Sequence, residues 1–581
     1  MGNLPVPHAP PRSWAKDRPV SYDPNPRYPL TGSAIESGFG ALADAIVRER
    51  PRVLAIDGPA ALSWDAFLAR LRDELDRRDI RTRLVDVRRC LVPWEEVRRR
   101  TRASVIPGDP VFGRIFEGAL ADLFDDLAWV DPAAEAEVVV MFGPGSGFFE
   151  HDHLWYADIP KGTSLAALRR GDAANLGQPV GEVGSEQRLL FVDWPVLDRH
   201  KQELLPRLDA YIDLRDPETP RSLEGETLRR SLYELAGKPF RTRPTFLPGP
   251  WGGQWLRDEL GIATDAPNLA WSYELITPES GILLGADDPI EVGFELLMAA
   301  QGERVLGAEL AARFGVSFPI RLDYLDTFGG GHLSIQCHPS EAYMRETFGL
   351  PYTQHETYYV VDTSPGAEIF LGLREDADLE AFRAEASRAE DPGLELDPER
   401  YLQTHPAVQH RLYLIPAGTP HASGAGNVVL EISATPYLYT LRFYDWLRRD
   451  LEGELRPVHL AHAFSNLDPA RSGDAVRRDL IPEPKPVRQG PGWTELELGR
   501  LPGVFFAVHR LDFDEAMEED TAGRFHVLNL VAGAQIEIES GPGAVHRLAF
   551  AETIVIPASV GPYRLRRVSG GACKVVKAFV P

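Results

Sequence analysis

Cysteine is scarce in this chain: 581 residues include three, Cys90, Cys337 and Cys573. They are far apart and odd in number, which excludes a disulfide framework and fits a reducing compartment. Long apolar runs are missing too. No stretch of about 18 apolar residues occurs, so no transmembrane helix is expected. Residues 1–25 are Pro-rich without an apolar h-region, so a secretory signal is not expected and a cytoplasmic protein is the simplest reading. Positive charge is in deficit. Lys and Arg number 62 against 86 Asp and Glu, a formal net charge of −24. That argues against nucleic acid or an anionic membrane as the main partner, but leaves room for a local basic pocket that holds a phosphate.

What is present is a globular composition, 44 % hydrophobic and 25 % charged, on a chain long enough for three or four domains. A Pro-rich arm is expected over 1–33 and an α/β domain over 34–242. Residues 243–467 read as a β-rich domain with inserted helices, 468–492 as a Pro-rich linker or strap, and 493–581 as a second β domain. In the α/β part, strands are expected at Val53–Ile56, Thr82–Val87, Val138–Phe142, Arg188–Val192 and Tyr211–Leu214, with a helix over Trp64–Arg77. Strands alternating with helices imply a mainly parallel sheet. Inserted helices are expected near 286–315, 376–390 and 441–463 from apolar spacing.

Two turns of the α/β part bear on function. Asp57-Gly58-Pro59-Ala60-Ala61-Leu62-Ser63-Trp64 follows the first strand. Together with the segments 189–194 and 207–213, it resembles the uridine-kinase branch of P-loop kinases. The loop lacks the second glycine and the lysine that a P-loop needs to cradle phosphates, so the resemblance implies a domain that has lost phosphoryl transfer. An α/β domain whose first turn merely contains Gly-Pro is the equal alternative. Gly143-Pro144-Gly145-Ser146-Gly147 follows another strand, where backbone N–H groups could face an anion; a flexible loop is the plainer reading. His151-Asp152-His153 has metal-like spacing but reads as surface loop.

The most telling residues lie in three later segments. Gln336 and His338 alternate in Ser334-Ile335-Gln336-Cys337-His338-Pro339, and side chains two apart on a strand face the same way. Cys337 then faces the opposite side as a buried apolar residue. Glu356 opens the strand-like run Thr357–Val361, and His421 follows Pro416-Ala417-Gly418. An amide oxygen, two imidazoles and a carboxylate suit zinc or another divalent cation.

These segments, with Trp251-Gly252-Gly253 and Arg442-Phe443-Tyr444-Asp445-Trp446, occur in the order found in class I mannose-6-phosphate isomerases, which residues 245–581 resemble. The resemblance implies two β-barrel cupin domains after the P-loop-like α/β sheet. The first barrel would hold a metal on Gln336, His338, Glu356 and His421. The second would be a metal-free companion, since Pro557-Ala558 there has no His soon after it. The implied reaction interconverts mannose 6-phosphate and fructose 6-phosphate through an enediol(ate). Glu431 and Arg442 would be catalytic, and Ser334 and Arg321 would contact the phosphate of a small-molecule sugar phosphate. Glu431 sits in an apolar strand whose burial would raise its pKa. A salt bridge to Asp445 is the alternative for Arg442, and a strand-to-strand hydrogen bond the alternative for Ser334. In one departure, Gln354 stands where the family has a lysine, so one phosphate-binding cation is missing. A non-catalytic sugar-phosphate or nucleotide sensor is the second reading. A cupin oxygenase is the third, disfavoured because an oxygenase triad needs only two His and one carboxylate.

Overall fold

The computed structural model describes residues 21–125, 136–179, 181–277, 279–389, 394–541 and 543–581. Most of the arm expected at 1–33 lies outside the described residues. Its end docks on the body: the Tyr22 hydroxyl donates to Glu274 Oε1 at 2.6 Å, and Arg27–Tyr28 pairs in parallel with Leu283–Leu284.

A seven-stranded sheet fills the N-terminal part. Its five parallel strands stand in the order Thr82–Asp86, Val138–Phe142, Val53–Asp57, His153–Asp158, Ala210–Asp213, and two antiparallel strands extend the last edge. Val53–Asp57 and Val138–Phe142 are buried at every position, as expected of strands covered on both faces. Leu54 and Ile56 pack towards Phe39 and Phe67 of the helices Phe39–Glu49 and Trp64–Asp76. Val53 and Ala55 belong to the opposite core, with Val196, Leu197, Leu228 and Leu232. Alternation along the strand produces the two faces.

The strand expected at Arg188–Val192 is instead part of a helical run from Glu186 to Leu204 that includes a π turn at Leu189–Asp193. The Ser185 hydroxyl caps it by accepting from the Arg188 N–H, and buried Leu189, Val192, Val196 and His200 recur at helical spacing. The missing strand is His153–Asp158. Asp152 leads into it by accepting from the Arg52 and Val53 N–H groups at 2.8 and 2.9 Å. His151-Asp152-His153 therefore fixes a strand start.

The first β unit pairs a six-stranded with a five-stranded sheet. Glu356–Thr363, Asn427–Ala434 and Ile320–Asp326 run side by side in the first; His421–Ser423, Ile335–Cys337 and Leu441–Tyr444 run side by side in the second. Residues 441–463 are not one helix: Leu441–Tyr444 is a strand paired with Ile335–Cys337, and only Leu460–Asn466 is helical. The other inserted helices are Phe294–Leu306, Ala308–Phe314 and Leu379–Arg388. The last part pairs a six-stranded with a four-stranded sheet. The strap expected at 468–492 contributes its edge strand, Lys485–Gly490, an edge being where Pro486 is tolerated. Among the described residues, no helix is long and apolar enough to cross a membrane.

Candidate metal centre

The two sheets of the first β unit face each other, and three side chains meet between them. In the first sheet Arg321 pairs with Ser433 and Ser433 with Glu356; one row on, Asp323 pairs with Glu431 and Glu431 with Tyr358. Paired residues share a face, so Arg321, Asp323, Glu356, Tyr358, Glu431 and Ser433 all project inwards. From the second sheet Gln336 and His421 are paired, with His338 beyond them. Cys337 lies on the other side against Ala463 O, fully buried, and burial holds its thiol well above its ordinary value.

His338 Nε2 stands 2.5 Å and His421 Nε2 3.1 Å from Glu356 Oε2. The ligand-type atoms of these three residues all lie within 4.8 Å of one another, and all three residues are buried. The far nitrogen of each ring fixes its tautomer. His338 Nδ1 lies 3.3 Å from Tyr439 O and His421 Nδ1 2.9 Å from Thr419 O. A carbonyl only accepts, so each Nδ1 carries the proton and each Nε2 turns a bare lone pair inwards, the arrangement typical of metal-bound histidine. Two lone pairs therefore face a carboxylate, and Glu356 Oε1 finds no donor among the described residues. A cation fits this donor set. Burial lowers His338, which favours the neutral ring. Gln336 lies alongside, its amide nitrogen 3.5 Å from His421 Nε2 and its oxygen accepting from Ser334 Oγ at 2.8 Å.

Glu431 is 4 % exposed, and its neighbour is not an apolar wall but Arg321. The Arg321 guanidinium bonds Glu431 Oε1 with one arm and Asp323 Oδ1, at 2.5 Å, with the other. Ser433 Oγ also donates to Glu431 at 2.9 Å. Burial pushes the Glu431 carboxyl well above its ordinary value; Arg321 pulls it down, while Asp323 and Glu356 push it further up. Burial likewise raises Asp323 to about 7. One guanidinium thus serves two buried carboxyls, Asp323 and Glu431, and does not bond Glu356.

The residues expected to contact phosphate are otherwise engaged. Arg321 is closed between two carboxylates, and Ser334 is buried with its hydroxyl directed at Gln336. With its amide oxygen and nitrogen exchanged, Gln354 donates to Pro436 O and accepts from Arg321 Nη2, each at 2.7 Å. Arg442 donates to Pro457 O at 3.2 Å and stands 3.9 Å from Asp445 Oδ2, the salt-bridge alternative; none of its hydrogen bonds reaches Glu431 or the metal-type ligands. Asp323 and Tyr358 were missed from the sequence. Asp323 follows Arg321 by two in a strand, the same alternation that exposed Gln336 and His338. Tyr358 has a fully buried hydroxyl with no partner among the described residues, and its ring meets His421 edge-on at 5.7 Å.

The N-terminal turns hold an anion of their own. The Asp57 carboxylate accepts from the backbone N–H groups of Gly58 (2.8 Å), Gly145 (3.2 Å) and Gly147 (2.8 Å), and His200 Nε2 lies 2.9 Å away. Asp57 thereby ties the turn at Gly58 to the turn at Gly145 and Gly147. Gly58 answers to a neighbouring strand: a Cβ there would lie 2.3 Å from Ala157 O. Asp57→Ala would leave these donors unmet at about 1–3 kcal/mol each, so its thermal midpoint is expected to fall clearly below that of the wild type. Magnesium-ATP is expected to leave the wild-type midpoint where it is; a rise of several degrees would reveal an open nucleotide site.

A family model described as a domain of unknown function, DUF8485, matches residues 38–237. Mannose-6-phosphate isomerase of Streptococcus mutans is 25 % identical over 291 residues, 49 % of this chain and 81 % of that protein. Mannose-6-phosphate isomerase ManA of Bacillus subtilis is 27 % identical over 235 residues, covering 40 % and 69 %. Over about half its length the chain is therefore homologous, at low identity, to mannose-6-phosphate isomerases. Among solved structures, the mannose 6-phosphate isomerase of Bacillus subtilis aligns with a TM-score of 0.48 at 20 % identity, over 59 % of this chain and 99 % of that one.

Proposed function

We propose that this chain is a metal-dependent aldose–ketose isomerase acting on a hexose or hexose phosphate. The relatives' names make mannose 6-phosphate the first substrate to assay. The observation that carries the reading is the convergence of His338, Glu356 and His421 lone pairs beside a buried, basic Glu431. His338, Glu356 and His421 would hold the metal, with Gln336 beside them; when bound, it supplies Lewis-acid stabilisation of an oxyanion. The chain's own residues do the proton work. Glu431, its proton affinity raised by burial, takes the proton from C2 and returns it at C1. Arg321 orients that carboxylate, and Asp323 balances the second arm of the guanidinium. The Tyr358 hydroxyl is free to donate to the developing enediolate. Water exclusion keeps the transferred proton from exchanging with solvent.

The test is isomerisation by the metal-loaded protein. Glu431→Gln is expected to lower kcat by roughly 10²–10⁴-fold with metal content unchanged; turnover at the wild-type rate would remove Glu431 from the mechanism. One feature favours a second reading. The residues expected to contact the substrate phosphate are bonded elsewhere, Arg321 between two carboxylates and Ser334 to Gln336, so a sensor that binds a sugar without turnover also fits. No isomerisation of any sugar or sugar phosphate would select it.

A further inference from the structure

The strand row that carries His421 and Gln336 continues one strand further, to the edge of its sheet. Gln336 pairs with His421 on one side and with Arg442 on the other. Phe443, the next residue, packs at 5.0 Å on Phe464 of the helix behind the sheet, so Arg442 turns to the inner face with Gln336. Strands lie about 4.8 Å apart, which puts the Arg442 backbone roughly 10 Å from that of His421. After this strand the chain turns through Trp446 and Leu447, at φ 57° and 50°. Two successive non-glycine residues in the left-handed region are strained, and such strain gathers where a segment must be aimed at a ligand. The turn opens a short hairpin in which Arg449 bridges Leu455 and the Arg456 N–H donates to Arg448 O at 3.0 Å. The base of the hairpin therefore holds Arg448 and Arg456 side by side, next to Arg442.

Three guanidinium groups gather there on one carboxylate. Asp445 Oδ2 stands 2.7 Å from Arg456 Nη1 and 3.9 Å from Arg442 Nε, and Asp445 Oδ1 stands 3.3 Å from Arg448 Nη1. Arg448 also donates to His332 O at 2.7 Å. Arg442 has only Pro457 O besides, and its buried Nε finds no hydrogen-bond acceptor among the described residues. The acids of the hairpin are turned away. Asp450 accepts from the Glu452 and Glu454 N–H groups at the tip, and Glu452 and Glu454 are exposed. Three cations against one carboxylate leave an excess of two positive charges. The side chains of Arg442, Arg448 and Arg456 are 20, 15 and 12 % exposed, open enough to be reached and too buried to be well screened by salt. Burial, and after it the charge of Arg456, brings the Arg442 guanidinium down to about 10. What the cluster lacks is an anion with several acceptor oxygens, and guanidinium forks match phosphate.

We propose that Arg442, Arg448 and Arg456 form an anion site that takes the phosphate of a sugar phosphate, in place of the lysine absent at Gln354, while the reacting end of the sugar lies towards the metal-type ligands. The sugar part rests on the isomerase reading; the anion site itself is tested with inorganic phosphate alone. Phosphate is expected to raise the thermal midpoint of the full chain with the logarithm of its concentration, where sodium chloride at equal ionic strength does not. Arg456→Gln is expected to lose that rise, and Arg456→Lys, which keeps the charge without the planar fork, to fall between the two. By calorimetry mannose 6-phosphate should bind more tightly than mannose by about tenfold or more, the scale of one hydrogen bond to a charged group. In Arg456→Gln that advantage of the ester should shrink by about the same factor. Phosphate and ester bound in this pattern, with the ester never isomerised, would support the anion site and reject the isomerase. Isomerisation of mannose by a protein that binds neither phosphate nor the ester would overturn the anion site and leave the isomerase standing. Phosphate that raises the midpoints of wild type and Arg456→Gln alike would bind elsewhere and overturn the site as well.

Discussion

His421→Ala is expected to purify without a divalent metal, where the wild type carries one. The ring supplies one of three converging donors, and its Nδ1 is already fixed by Thr419 O. Losing an outer partner of a ligand costs roughly 10–100-fold in metal affinity, so losing the ligand costs at least that. The vacancy also leaves Glu356 deep in the first β unit with one imidazole in place of two, so the thermal midpoint should fall even in metal-free buffer. Elemental analysis of the two proteins decides the matter. Wild-type protein prepared without chelators that holds no zinc, iron, cobalt or manganese would sink the metal centre.

Arg321→Leu is expected to destabilise the protein more than any other change at the site. Arg321, Asp323 and Glu431 are 5, 1 and 4 % exposed, and one guanidinium serves both acids. Removing one partner of a buried ion pair costs about 3–5 kcal/mol, because the remaining charge keeps its desolvation cost without its counter-charge. Here two carboxylates are left. A drop in midpoint on the order of 10 °C follows for a unit of this size. Adding Asp323→Asn and Glu431→Gln to Arg321→Leu removes the stranded charges and should recover part of the loss. Differential scanning calorimetry of the single and triple variants is the measurement; a single variant melting with the wild type would mean that the carboxyls are already protonated and Arg321 is not their counter-charge.

The metal-type ligands were legible because their three segments stand in the order of the family they resemble, and strand alternation, a local rule, turned Gln336 and His338 to one side. Gln336 and His338 sit two apart, and Glu356 and His421 each mark the start of a strand. The same rule pairs Arg321 with Asp323, yet it does not say which strand lies next. That Asp323 stands opposite Glu431 is a fact of register between segments far apart in sequence. The bond from Arg321 to Glu431 was hidden for the same reason, whereas Ser334 bonds Gln336 two residues on and obeys the local rule. Leu189-Leu190-Phe191-Val192 misled because a short apolar run fits a buried strand and a buried helix equally; the cap at Ser185 was the discriminating mark. The helix expected over 441–463 failed where strand pairing with Ile335–Cys337 overrode apolar spacing. In the N-terminal part the missing lysine and glycine were plain. The substitute was not, because nothing in Asp-Gly-Pro says that its acid will turn back into the loop.

That inward-turned acid changes what the N-terminal unit responds to. A cradle that takes its anion from solution is stabilised in proportion to the logarithm of ligand concentration. Asp57 is tethered one bond from the loop it fills, so its local concentration is constant and no metabolite competes with it on equal terms. Its helix Trp194–Leu204, which carries His200 against Asp57, is anchored by a ligand that never dissociates. His200 thereby pins that helix to the first strand by a contact within the chain.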